Sequence, residues 1–182
     1  MTNGVDMTRD DIGLAQGLLL DCFARTAEAL PNHLAGLSPT ELLWQPDPAA
    51  NSIAWLVWHL TRVQDDHVAG VGGVDQVWNS QGWADRFDLP YARASIGFGH
   101  GPADVAAFGV SDRTLLLGYH AATQAMTRTV VEALDFADFE RIVDERWDPP
   151  VTAAVRLVSV VDDTAQHTGQ ISYLRGLLQR RG

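Results

Sequence analysis

Four long stretches carry apolar residues at helical spacing, and each is bounded by capping residues, prolines or glycines. That pattern leaves the chain one economical solution, a bundle of helices. The first stretch opens on a capping pattern, Thr8 with Asp11 three residues on. It puts Ile12, Leu19, Phe23 and Leu30 on one face and stops at Pro31. A short helical turn follows in SPTELLWQP, where Ser38, Pro39 and Glu41 supply cap, first-turn proline and capping-box acid. The second long helix starts after Asn51-Ser52 and runs through IAWLVWHLTRVQDDHVA to the glycines at 70, 72 and 73. The third is capped by Ser111-Asp112 and runs from 113 to about 134, and the fourth, led by Pro149-Pro150, covers 151 to about 180. Residues 72 to 110, rich in Gly, Asp and aromatics, form a long crossover between helices two and three, interrupted by a short helix from 102 to 108. A second connection, 135 to 148, carries an extended piece at ERIVDERW. The expectation is an all-α fold, a four-helix bundle forming one domain over residues 1–182.

Composition narrows the function classes. Asp and Glu number 23 against 13 basic residues, all of them Arg, for a formal net charge of −10, so no basic face for nucleic acid is expected. Apolar runs are short and broken by charge or glycine, which excludes a membrane span. The opening MTNGVDMTRDDIG is polar and acidic rather than a basic-then-apolar leader, and Cys22 is the sole cysteine. Together these lead to the expectation of a cytoplasmic protein without disulfides.

Chemistry enters at DDTAQHTGQ, residues 162–170. At about 100° per residue, Asp163 and His167 lie one turn apart on the stripe that also carries Val160, Gln170, Ile171, Leu174 and Leu178. On the second helix, His59 shares its stripe with Ser52, Trp55, Leu56, Val63, Asp66 and Gly70. Burying Asp163 without a partner costs several kcal/mol, roughly, so something must compensate it. One solution is a hydrogen-bonded Asp163–His167 pair, with His59 satisfied separately. The other is a metal ion held by His59, Asp163 and His167, since carboxylate and imidazole at i,i+4 reach one ion and facing bundle helices build such sites. Three protein ligands leave a coordination position open, as catalytic sites do. Two imidazoles and a carboxylate suit Zn²⁺ first, and Ni²⁺, Fe²⁺ or Mn²⁺ as well.

NSIAWLVWHLTRVQDDHV together with DDTAQHTGQISYLRGLL, and GLSPTELLWQPDPAANSIAWLVWHL ahead of the first His, resembles the DinB/YfiT-like metalloenzyme superfamily across nearly the whole chain. The resemblance implies a four-helix bundle, with His59 as the metal ligand of the second helix and His167 as the last ligand of the fourth. Position 163 departs from the commonest pattern, where many relatives carry His. The branch similar to mycothiol-dependent maleylpyruvate isomerase has a carboxylate, Glu, three residues before its last His, so the Asp here matches that branch in charge though not in length. Further implications are a homodimer and a low-molecular-weight thiol as co-substrate, mycothiol in the first instance, used as a thiolate against small electrophiles. A metal-dependent hydrolase and a non-catalytic bundle that binds a small ligand or partner are the alternatives.

Other residues are read more plainly. Asp66 lies two turns from His59, roughly 10 Å along the axis. That is too far for the same ion, so it is expected beside the ion's ligands, against substrate, or as partner to Arg62 or Arg156. His67 is expected to face solvent, and Gln170 to orient His167 or touch a ligand. His100 and His120 are read as surface or satisfied polar groups, Trp44, Trp55 and Trp58 as packing, and Cys22 as a small buried hydrophobe. The glycines of GFGHG follow no strand and are no phosphate fingerprint.

Overall fold

The computed structural model describes residues 9–181, so the expected cap Thr8 lies outside the described residues. Helix α1 (Arg9–Leu34) continues one turn past Pro31 instead of stopping there. The extra turn seats Leu34 beside Leu30, both fully buried. Termination falls to Gly36, in the left-handed region at φ 76°. Helix α2 (Pro39–Leu42) has the expected capping box between Ser38 and Glu41. Helix α3 (Ile53–Gly72) starts where Ser52 accepts from the Trp55 N–H, a cap worth about 1 kcal/mol, and ends at Gly73 with φ 62°.

The crossover is more ordered than its composition suggests. It holds α4 (Val77–Ser80), α5 (Trp83–Phe87) and α6 (Pro102–Ala107). The first two are single turns, too short to leave a periodicity. Trp78, Trp83 and Phe87 pack around Tyr119 with ring centroids 5.1–5.6 Å from it. Helix α7 (Arg113–Ala133) is capped by Asp112 as expected, and α8 (Phe136–Glu140) follows. Residues expected to begin the fourth helix form an edge strand instead. Strand β1 (Ile142–Asp144), in the expected extended piece, pairs antiparallel with β2 (Val151–Thr152). Thr152, not the proline pair, caps α9 (Ala153–Gln179) by accepting from the Val155 N–H.

Helix α3 packs on α7 and α9, and α1 packs on the same two, so α1 and α3 stand at opposite corners of a four-helix bundle. Helix α3 has no solvent face, because 16 of its 20 residues are buried. Two apolar clusters fill the bundle. One joins Leu30, Leu60, Ile171 and Leu174 with the aromatics of the crossover. The other joins Phe23, Val68, Val130, Leu157 and Val160. A polar waist lies between them: Thr26, Thr61, Gln64, Thr123, Thr127 and Thr164 are all buried. Gln64 Nε2 donates to Thr127 Oγ1 at 2.8 Å and to Gln124 Oε1 at 3.0 Å.

A buried charge network fastens the crossover to α3. Asp65 accepts from the Val77 and Trp78 backbone N–H groups at 2.9 and 2.8 Å and from the Tyr119 hydroxyl at 2.7 Å. Arg62, 3.5 Å from Asp65, donates to the Ser95 carbonyl and to Tyr119, each at 3.2 Å. Both charges are fully buried. Removing one member strands the other, so Asp65→Ala is expected to cost about 3–5 kcal/mol in urea unfolding. A loss below about 1 kcal/mol would mean that the network carries little of the fold.

His120, expected at the surface or polar-satisfied, sits deep in the waist at 3% exposure. Thr61 spends its hydroxyl hydrogen on the Val57 carbonyl, so His120 Nδ1 donates to Thr61 Oγ1 at 3.2 Å. Burial pushes its pKa down to about 4. As pH falls below the ordinary value near 6.5, the unfolded chain takes a proton that the native state refuses. Stability is therefore lost between about pH 6.5 and 4, by up to roughly 3 kcal/mol. His120→Leu is expected to flatten that part of the pH profile in denaturant titrations, and an unchanged slope would contradict it.

Candidate metal centre

Helices α3 and α9 meet at the waist, and the three residues singled out from the sequence converge there. One donor atom from each of His59, Asp163 and His167 lies within 4.8 Å of the others. His59 is anchored on its far side: its Nδ1 donates to the Ile96 carbonyl at 2.5 Å. Trp55 stacks on the ring at 4.7 Å between centroids. The tautomer is thereby set, with a lone pair left on Nε2. Burial holds His59 below the usual imidazole range. His167 is fixed in the same manner, its Nδ1 donating to Gln170 Oε1 at 2.9 Å. Burial acts to lower His167, but its bonds to Asp163 and Gln170 outweigh burial and raise it.

The remaining donor atoms could be met by a cation. His167 Nε2 lies 3.4 Å from Asp163 Oδ1, a pair that either a proton on His167 or a shared cation would hold together. The other carboxylate oxygen, Asp163 Oδ2, is buried with no hydrogen-bond partner among the described residues. A proton on His167 would satisfy Oδ1 alone. A divalent cation would satisfy the whole carboxylate and both imidazole lone pairs, so the donor set fits one. The expected inward stripe of α9 is shifted, however. Val160, Thr164, Ile171 and Leu174 form its buried face, while Asp163 and His167 are 29% and 16% exposed on its border. Gln170 is exposed, at the far side of His167. A border position gives the donors access to a ligand, which a core position would deny.

His59 and Asp163 open into a cavity of about 760 Å³. Asp66 lines it, apart from the three converging donors, as its spacing implies. Gln76 donates to Asp66 at 2.7 Å, and His67 Nδ1 is 3.2 Å from it. Neither Arg62 nor Arg156 is its ion partner: Arg62 pairs with Asp65 and Arg156 with Asp144. The wheel pointed to Asp66 and passed over its neighbour Asp65, because a helix buried all round has no single inward stripe. His67 lines the cavity instead of facing solvent, since the crossover covers that side of α3. His100 is polar-satisfied, by Trp55 and Ser95. Trp55 does more than pack, since it holds His59, and Cys22 is half-buried instead of fully enclosed.

The profile of the mycothiol S-transferase family matches residues 18–180. The chain belongs to that family. A conserved protein from Enterococcus faecalis, known from its crystal structure, is 32% identical over 87% of this chain and 94% of its own, with a TM-score of 0.81. A comparison with curated proteins gives no match. The DinB-like resemblance and the all-α bundle are borne out by these likenesses. Among the described residues no helix is long and apolar enough to cross a membrane.

One contributor was overlooked in this family member: the crossover backbone. Its signal is the glycine spacing of GFGHG. Gly97 has φ 87°, and a Cβ there would lie 2.6 Å from His59 Nδ1 and 3.0 Å from Trp58 Cζ3. The glycine lets the chain approach closely enough for Ile96 to take the His59 hydrogen. In Gly97→Ala, the long-range ¹H–¹⁵N spectrum of the imidazoles is expected to show His59 leaving the Nδ1–H tautomer. Retention of that tautomer would show that the glycine is not what sets it.

Proposed function

We propose that the protein is a metal-dependent thiol S-transferase. In this reading His59, Asp163 and His167 hold a divalent ion, Zn²⁺ in the first instance, and a low-molecular-weight thiol, mycothiol by family, is joined to a small electrophile. The observation that carries it is the convergence of two tautomer-fixed imidazoles and a carboxylate with one buried oxygen unpartnered among the described residues, in a chain of this family. A divalent ion held there supplies Lewis acidity, which lowers the pKa of a thiol brought to it.

The chain's own contribution is orientation and exclusion. Ile96 and Gln170 accept the Nδ1 hydrogens, so both imidazoles present Nε2. Trp55 closes one side of His59 against water. The cavity admits the electrophile beside these groups. In the transfer, the thiol sulfur forms a bond to the electrophilic carbon, the leaving group departs with its electron pair, and the thiol proton passes to solvent. Where the electrophile is an activated double bond, the carbon next to the new C–S bond takes up a proton instead.

Elemental analysis of wild type beside His59→Ala, Asp163→Ala and His167→Ala is expected to find about one divalent ion per chain in wild type. The variants should bind at least about 100-fold more weakly. Thiol-dependent loss of monochlorobimane should follow metal content. Metal-free wild type that cannot be loaded, or loaded protein inactive with every thiol supplied, would overturn the assignment. Turnover by loaded protein without added thiol would favour hydrolysis over transfer.

A further inference from the structure

The cavity that His59 and Asp163 open onto has a second wall that the three donors do not explain. Asp144 on β1 accepts from Arg146 Nε and Nη2, both at 2.9 Å, and from Arg156 Nη2 at 2.8 Å. The two guanidinium groups, Arg146 first, hold its carboxyl well below the usual range. Two guanidiniums on one carboxylate leave this wall with a surplus of positive charge, in a chain whose formal net charge is −10. Arg156 is the more informative of the two, with its side chain only 17% exposed. It gives one N–H to Asp144, and no group among the described residues takes its other donors. A mostly covered arginine side chain whose open donors face the cavity's solvent is suited to an anion. Asp66, the carboxylate on the α3 side, is already engaged by Gln76 and His67.

The rim carries a second signal. Phe98 from the crossover is 88% exposed and Trp147 from the β1–β2 connection is 62% exposed. Both line this same cavity. Large apolar rings left in water beside a charged wall suit a flat apolar ligand that covers them.

We propose that this wall recognises the electrophile: a flat aromatic molecule packs against Phe98 and Trp147 and places a carboxylate on Arg156, so that its reactive atom reaches the α9 donors. The inference rests on the transferase reading of the same cavity. Arg156 and Asp163 are seven residues apart on α9, about 10 Å along the axis, which sets the separation between the acid and the reactive atom. A two-ring aromatic acid has that length. Arg146, 86% exposed, borders the same wall. Its role is to hold Asp144, which in turn aims Arg156.

Calorimetric titration of the full chain with 2-naphthoate and its neutral isostere 2-naphthamide tests the assignment, before and after chelation of any bound metal. The acid is expected to bind about tenfold or more tightly than the amide, through its charge-assisted bond, and to keep that preference after chelation. Arg156→Gln should bring the two within about twofold, while Trp147→Ala should weaken both alike. Equal binding of acid and amide to wild type overturns the proposal. So does a preference that vanishes on chelation, because the acid would then be reading the ion. The wild-type comparison decides the matter even if Arg156→Gln does not fold. Wild type that cannot be loaded with metal would sink the transferase reading and leave this titration unchanged, so the two failures are distinguishable.

Discussion

Everything around the candidate centre depends on a carboxylate in the wrong solvent. Asp65 is fully buried on α3 and ionised groups are costly there, yet it gathers two backbone N–H groups, a phenol and the Arg62 guanidinium. Those partners come from α4, α7 and α3, and Arg62 extends the network to Ser95. The crossover is thus tied down at 77–78 and again at 95. The very next residue, Ile96, is the one whose carbonyl orients His59. Fold energy spent at Asp65 is converted, one residue beyond the second anchor, into the tautomer of an imidazole.

The same economy explains why a crossover so rich in glycine is well ordered. Glycines at 97 and 99 adopt positive φ, with Gly97 pressed against Trp55, Trp58 and His59. A side chain there would hold the backbone off the helix and break the bond to Ile96. Aromatic packing of Trp78, Trp83 and Phe87 around Tyr119 then covers the polar network and excludes water from it.

Helical periodicity and capping were enough to make the bundle legible, because Ser52, Asp112 and the Ser38–Glu41 box cap in the structure where their residue types place them. Proline was the weaker guide. Pro31 sits inside a last turn held by Leu34, and Pro149-Pro150 lead into a strand that Arg141 closes by accepting from Ala153. His59, Asp163 and His167 were legible for a simple reason: ionisable residues on apolar stripes are rare and must be compensated. Asp65 was not, since periodicity cannot choose among faces of a helix buried all round. The Asp144 clamp on Arg156 was not legible either, because it joins a two-stranded hairpin to α9 by a contact that no local pattern encodes.

The waist also decides what an ion could do for stability. His59 belongs to α3 and the other two donors to α9, so an ion at this place would tie the two helices together and shift stability by mass action. It would not be the reason the bundle forms. Apolar clusters lie on both sides of the donors, with Leu60, Ile171 and Leu174 on one and Val68, Leu157 and Val160 on the other. Each cluster buries its side chains without help from the waist. A structural zinc site replaces a core that a small domain lacks. Here the core is complete, and the polar layer between its halves can be given over to chemistry.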